Sequence, residues 1–469
     1  MIFTHVSSEA CDGVYSVGPR VEAEAHPCLC KDIFARLWDG YTYRSSTLEP
    51  TEINDLVFTI GNAERPELLD GDYAVNIEKG GICIVANNEN ELIRGFMTLL
   101  DMLRPADGEG SVSVCAPVGL YREKALIGVR MIHYCLFPEN GLWELHRFLR
   151  LCAVLKYTHV IVEFWGTLRY DCMKELAWSS AYSKDEVKSI IDEARSLGLE
   201  IIPMFNHWGH ASASRVIHGK HVVLDQNPAL QHYFTEDGWC WDISKQSVRA
   251  LLRSIRKELC ELCGDGEYFH IGCDEAYNYS FTKENMDFIC DFMGQVSEEM
   301  RSEGRRVIAW GDMFLYRYPH YNPNNRYSCH CPEPGPDKYM IDHLDRNIII
   351  ADWQYNAKEA PVETTDVFVS AGFDCLLCPW DRGEAQMRSC LTTVSDKNLM
   401  GIMHTTWHTL REGMHFVTVA AKGCYDGNVP YVLNSARTHT AATLRKIYPI
   451  NGDYERAGWS AEETIGVIV

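Results

Sequence analysis

Apolar residues recur along this chain in two alternating rhythms, and the alternation predicts its fold. From about residue 125 onward, short apolar runs fall at 126–134, 159–165, 199–206, 267–272, 306–310, 347–352, 373–378 and 400–406. Runs of that length bounded by turn residues read as buried strands. Between them the apolar spacing becomes helical. One helix starts at Ser183 with Glu186 as its capping box, runs through Val187, Ile190, Ile191, Ala194 and Leu197 on one face, and stops at Gly198. Val248, Leu251, Leu252, Ile255, Leu259 and Leu262 make a second such face, and Met286, Ile289, Met293, Val296 and Met300 a third. Parallel strands need helical crossovers and eight of them close a sheet on itself, so the pattern predicts an α/β fold, a (β/α)8 TIM-type barrel. A doubly wound open sheet is the alternative.

The first 120 residues follow a different pattern. Strand-like runs at 55–60 and 81–86 and a helix at about 89–104 read as a small α/β accessory domain, and Asp107 through Ser113, rich in glycine and acid, as a turn or linker. The expected division is therefore 1–120 for the accessory domain and 121–469 for the barrel with a C-terminal helical tail.

A parallel barrel carries its chemistry just after the strands. The residues there are Glu163 and Trp165, then Asn206-His207-Trp208-Gly209-His210, then Asp274-Glu275 at the end of His270-Ile271-Gly272-Cys273-Asp274-Glu275. Later strands end in Trp310-Gly311-Asp312, Asp352-Trp353-Gln354-Tyr355, Pro379-Trp380-Asp381 and Trp407-His408. An acidic pair alone is more often a helix N-cap, and a lone Trp more often a packing plug. Aromatics collected around paired acids at one rim instead suit a pyranose, whose CH-rich faces stack on indoles while carboxylates and imidazoles bind its hydroxyls.

Composition narrows the partner. An apolar share of 46% and a charged share of 23% are ordinary for a soluble globular protein, and no run of 18 apolar residues is present to span a membrane. The net charge of −21 leaves no excess cation to neutralise phosphates, which argues against nucleic acid. The 19 cysteines show no repeating spacing and read as free thiols in a reducing compartment. Cys260/Cys263 and Cys375/Cys378 have C-x-x-C spacing and Cys329-His330-Cys331 adds an imidazole, yet a helix and a strand scatter these ligands, so no metal or other cofactor is expected. Met1-Ile2-Phe3-Thr4-His5-Val6 lacks a basic segment followed by an apolar one, consistent with a cytoplasmic chain.

The stretch His270-Ile271-Gly272-Cys273-Asp274-Glu275 resembles the His-x-Gly-Gly-Asp-Glu signature of family 20 glycoside hydrolases, the β-N-acetylhexosaminidases. Gly209-His210-Ala211 is similar to that family's Pro-Gly-His motif, Gly128-Val129-Arg130 falls where its strand-one arginine stands, and Arg94 through Leu100 resembles part of its accessory domain. The resemblance implies an exo-acting retaining enzyme that removes terminal β-linked GlcNAc or GalNAc from a glycan, with the substrate's own acetamide oxygen attacking C1 to give an oxazolinium ion. Glu275 would then be the general acid and base, its pKa raised by the neighbouring carboxylate and partial burial, and Asp274 would orient the acetamide. His210 and His270 would support the acids, Arg130 would hold ring hydroxyls, and Trp310, Trp353, Trp380 and Trp407 would wall the sugar. The family's acetamide-binding tyrosine position is Asp381 here, so Tyr355 is the expected replacement, and the acid usual after the last Trp is Thr409. Two other readings remain: a non-catalytic carbohydrate-binding barrel, and a retaining glycosidase with Glu163 as nucleophile that acts on sugars without an acetamide.

Overall fold

The computed structural model describes residues 7–17, 22–24, 37, 41, 54–60, 66–78, 81–105, 114–137, 140–212, 223–277, 279–316, 326–381, 383–407, 410, 413–426 and 433–447. The two sequence patterns become two sheets. In the first part, β1 (Ser7–Val17), β2 (Glu22–Glu24), β3 (Asn54–Ile60), β4 (Tyr73–Glu78), β5 (Gly81–Ala86), β6 (Arg104–Pro105) and β7 (Val114–Glu123) form one mixed sheet, ordered β1-β7-β4-β5-β3-β2 with β6 beside β7. The helix Glu89–Met102 begins at Asn88, whose side chain accepts the Glu91 N–H. It buries Leu92, Phe96, Leu99 and Leu100 in the same core as Tyr73, Val75 and Ile84 of the sheet. β7 pairs with β4 as far as Tyr73↔Glu123, so this sheet runs past the expected boundary at 120. The linker expected at 107–113 lies outside the described residues.

The second sheet closes. β8 (Val129–Cys135), β9 (His159–Glu163), β10 (Glu200–Met204), β11 (Tyr268–His270), β12 (Arg306–Trp310), β13 (Ile349–Trp353), β14 (Cys375–Cys378) and β15 (Gly401–His404) run parallel in chain order, and β15 pairs back onto β8 through Ile402↔Arg130 and Met403↔Met131. The open-sheet alternative is thereby ruled out. Each strand is buried on both faces, which is why the runs read as continuously apolar. Met131, Ile161, Ile202, Ile308, Ile349, Leu376 and Met403 fill the barrel, while Ile132, Val160, Ile201, Val307, Ile350, Leu377 and Ile402 join the larger core outside it. Burial of each such side chain contributes roughly 1.5–3 kcal/mol. The outer helices carry the expected signals: Ser183 and Glu186 form a reciprocal capping box at the helix Lys184–Ser196, and Gly198 takes φ +82°. Cys375 and Cys378 fall in the outer and inner cores respectively, and the cysteines among the described residues are free thiols.

The accessory sheet meets the barrel at the N-terminal ends of its strands. Glu123, at the end of β7, accepts from Lys156 Nζ at 2.5 Å, and the same ammonium donates to Tyr73 Oη and Thr98 Oγ1, each at 3.2 Å. Tyr425 lies under both Lys156 and Arg130, at 4.4 and 4.9 Å.

Candidate active site

The acidic pair is positioned by a backbone that few sequences tolerate. After β11 the chain passes through Gly272 (φ +65°), Cys273 (φ +75°) and Glu275 (φ +46°), and left-handed conformations at non-glycine residues cost about 1–3 kcal/mol each. Neighbouring strand ends hold the path in place. Trp310 N–H donates to Gly272 O at 2.9 Å, Glu275 N–H to Asp312 Oδ2 at 3.0 Å, and Trp239 Nε1–H to Glu275 O at 2.6 Å. Gly272 is required twice, for its φ and because a Cβ there would stand 1.5 Å from Asn206 Oδ1.

His210 bridges the two acids. Its Nε2 lies 2.9 Å from Glu275 Oε2 and 3.5 Å from Asp274 Oδ2. That reach depends on Gly209, where a Cβ would collide with Asp274 O at 1.9 Å, so the Gly-His pair has a steric reason. The other carboxyl oxygen, Glu275 Oε1, accepts from Tyr277 Oη at 2.7 Å, and His330 Nδ1 stands 3.8 Å away. His330 is held by Asp312 Oδ2 at 2.9 Å. Burial works to raise the Glu275 pKa, but His210, by hydrogen bond and charge, together with Tyr277 and His330, lowers it from 4.5 to about 2. The expected upward shift is thus corrected, because an imidazole lies between the carboxylates. For His330, burial opposes the charged form, yet Asp312, Glu275 and Asp274 together raise its pKa.

An aromatic arc stands on the later strand ends. Tyr355 lies between Trp353 and Trp380, with ring centroids 5.0 Å from each. The Trp407 indole N–H donates to the Tyr355 oxygen, and Thr405 Oγ1 lies 3.0 Å from it. Trp353 Nε1–H donates to Asp312 Oδ1 at 3.1 Å, tying this arc to the acidic pair. Asp274, Glu275, His210, Trp353, Tyr355, Trp380 and Trp407 therefore gather at the C-terminal mouth of the barrel. Thr409 lies outside the described residues.

Three expected site residues fall elsewhere. Arg130 is 3% exposed at the opposite end of the barrel, with Nε donating to Lys156 O and Nη1 to the Ile127 and Gly128 carbonyls. It points outward because its inward-facing neighbour in the barrel core is Met131, so it cannot reach a sugar at the mouth. His270 is fully buried below the acids, accepting the Gly272 N–H on Nδ1 at 3.0 Å, with its ring 4.4 Å from Trp310. Trp310 itself, 0% exposed and 5.3 Å from Trp407, forms the floor and not the wall.

Beside that floor, Glu163 is a buried acid surrounded by donors. Trp165 Nε1 and Asn206 Nδ2 reach Oε1 at 3.0 Å each, while Cys135 Sγ and His133 Nε2 reach Oε2 at 3.0 and 3.2 Å. His133, Cys135 and Glu163 are close enough to share a metal ion. Four hydrogen-bond donors already use the carboxylate, so the cluster is accounted for as a satisfied buried acid. The same contacts leave Glu163 poorly placed as a nucleophile.

Trp239, Tyr277, Asp312 and His330 were not anticipated as partners of Glu275. His330 carried only a metal-like Cys-His-Cys signal, and Trp239 sits in a loop where Phe234 and Trp241 form an isolated bridge, without periodicity to mark it. Tyr277 could have been noticed from its place two residues after Glu275.

A closed barrel with adjacent acids and an aromatic arc at its C-terminal mouth is the architecture of a carbohydrate-hydrolase barrel. Residues 161–382 match the model of glycosyl hydrolase family 20, catalytic domain. The chain is 23% identical over 283 residues to the lacto-N-biosidase of Bifidobacterium bifidum, covering 55% of this chain and 24% of that protein. It is 21% identical over 290 residues to the beta-hexosaminidase of Porphyromonas gingivalis, covering 52% of this chain and 36% of that one. The matched regions thus span about a third or less of those relatives. The fold is similar to that of the beta-N-acetylhexosaminidase from Bacteroides fragilis, with TM-score 0.65, 14% identity, and 98% and 97% of the two chains covered. It is also similar to that of the Flavobacterium johnsoniae chitobiase, with TM-score 0.68, 16% identity, and 95% and 72% covered.

Proposed function

We propose that the protein is an exo-acting, retaining β-N-acetylhexosaminidase that removes terminal GlcNAc or GalNAc from a glycan by substrate assistance. The observation that carries this reading is the His210 bridge between Asp274 and Glu275, joined through Asp312 to the Trp353–Tyr355–Trp380 arc. A solved structure of similar fold, the Vibrio harveyi exo beta-N-acetylglucosaminidase, is a complex with N-acetylglucosamine.

In this reading Glu275 protonates the glycosidic oxygen as the bond from C1 to that oxygen breaks and its electron pair leaves with the aglycone. The acetamide oxygen bonds to C1 from the other face, forming the oxazolinium ion. Asp274 accepts the acetamide N–H and balances the positive charge that develops. The Tyr355 hydroxyl holds the acetamide oxygen under C1. His210, Tyr277 and His330 hold the Glu275 carboxyl ionised at neutral pH, so the proton must be taken up as substrate arrives. A bound sugar removes water from the carboxyl, and the desolvation already acting on it grows, which raises its affinity for the proton. Glu275, as carboxylate, then activates the water that opens the oxazolinium ion with retention.

The test is a set of 4-nitrophenyl β-glycosides of GlcNAc, GalNAc, glucose and galactose, together with a thiazoline mimic of the oxazolinium ion. Turnover confined to the acetamido sugars with tight thiazoline inhibition is expected. Equal turnover of glucose and GlcNAc, or indifference to the thiazoline, would end the substrate-assisted reading.

A further inference from the structure

We propose that Tyr277 is the positioning residue on the leaving-group side of Glu275, and that its exposed ring, backed by the buried Trp239, forms the platform for the first ring of a glycan aglycone. This rests on the function proposed above and adds the subsite beyond the scissile bond.

The geometry around the two carboxyl oxygens separates their roles. Oε2 faces His210 at 2.9 Å, on the side shared with Asp274. Oε1 faces the Tyr277 hydroxyl at 2.7 Å, with His330 3.8 Å off and Asp312 behind that imidazole. An oxygen at hydrogen-bond distance from a general acid stands where a glycosidic oxygen must stand to be protonated. The phenol is therefore a stand-in for the leaving group, and it must give up Oε1 when substrate binds.

Exposure identifies what replaces it. Tyr277 is 38% exposed, against a site otherwise built of buried or half-buried aromatics, and large apolar side chains so exposed are few among the described residues. Its ring stacks on Trp239 with centroids 5.8 Å apart and planes at 26°, and its edge meets His330 at 5.6 Å. Trp239 is fixed: its indole N–H holds Glu275 O, its backbone N–H donates to Asp237 Oδ1 at 3.0 Å, and its ring lies 4.7 Å from His210. An exposed phenol backed by a rigid, buried indole beside the acid presents a flat apolar face, which suits the CH face of a second pyranose and gives nothing to a methyl aglycone.

The groups facing Glu275 are His210, Asp274, Tyr277, His330 and Asp312, whose Oδ2 accepts the Glu275 backbone N–H. Of these only Tyr277 can be stripped of its hydrogen bond while its ring is kept. Tyr277→Phe removes a donor that favours the ionised carboxyl, so Glu275 holds its proton to higher pH. The alkaline limb of kcat/KM should move up by roughly one pH unit, the scale of one hydrogen bond to a charged group. Tyr277→Ala also removes the platform. KM for a β-linked N-acetylhexosamine disaccharide should rise about tenfold while KM for the methyl β-glycoside stays within twofold, and Tyr277→Phe should leave that ratio at the parent value. Unfolding temperatures of both variants are read alongside. A parent protein that cleaves neither glycoside removes the function on which this rests. An active parent whose Phe variant has an unmoved limb, or whose Ala variant treats both glycosides alike, overturns the Tyr277 inference alone.

Discussion

The two ends of the barrel both bury charge, and they use it differently. At the N-terminal end Lys156 and Glu123 face each other directly, Tyr73 and Thr98 accept further hydrogen bonds from the ammonium, and Arg130 donates to three backbone carbonyls. Each charge there has an opposite charge or a fixed dipole, and the arrangement joins the accessory sheet to the barrel. At the C-terminal end two carboxylates are adjacent in sequence and share one imidazole, with a backbone twisted into left-handed conformations to hold them. The first arrangement is closed by contacts within the protein, Glu123 Oε2 taking the Lys156 ammonium while Oε1 is buried without a hydrogen-bond partner. The second is left to be completed by a proton and a ligand, and the difference separates a structural junction from a site.

Substitutions can divide the two ends. The largest effect is expected at Glu275: Glu275→Gln should lower turnover of glycosides with poor leaving groups by ~10²–10⁴-fold in a variant that still folds cooperatively. Near-parent rates on a natural disaccharide would remove Glu275 from its role. Lys156→Met should do the reverse, leaving Glu123 buried without its partner and costing about 3–5 kcal/mol in denaturant unfolding, with kcat unaltered in the folded enzyme. A stable Lys156→Met protein would mean that the junction does not depend on the pair. Tyr355→Phe keeps the ring in the aromatic arc and deletes one donor to a charge-developing centre, so kcat should fall ~10²–10³-fold. Parent-like kcat would assign the acetamide oxygen to another donor.

A smaller effect concerns acid. The folded-state pKa of Glu275 lies below its ordinary value, so its contribution to stability is present above pH 4.5 and lost as pH falls toward about 2. Glu275→Gln should flatten the stability profile across that window, and identical profiles for parent and variant would show that the carboxyl is not held by His210 in solution. The smallest effect is predicted for Arg130→Lys. It loses part of a fork to backbone carbonyls, should cost about 1 kcal/mol, and should leave KM for any glycoside unchanged. A tenfold rise in KM would restore Arg130 to the site.

Much of this architecture was legible in the chain. Strand positions followed from apolar runs because barrel strands are buried on both faces, and the Asp274–Glu275 placement followed from the end of one such run. The capping box at Ser183 and the stop at Gly198 are local signals that tertiary packing had no cause to override. What failed did so for geometric reasons. Arg130 was placed by its motif, but strand alternation turns it outward at the wrong end, a one-residue distinction that resemblance did not resolve. His270 and Trp310 lie one layer too deep, because distance below the rim depends on strand stagger. Trp239 and His330 come from loops, whose approach to Glu275 has no periodicity to betray it.

The pairing of β15 with β8 also bears on how the protein is made. Glu275 emerges from the ribosome on the order of ten seconds before Gly401–His404 at ordinary synthesis rates. During that interval β8 has an unpaired edge of seven apolar-rich residues, and the Trp407 indole that meets Tyr355 has not yet been synthesised. Such an edge invites pairing with other chains. Nascent chains stalled before β15 should therefore engage chaperones or aggregate.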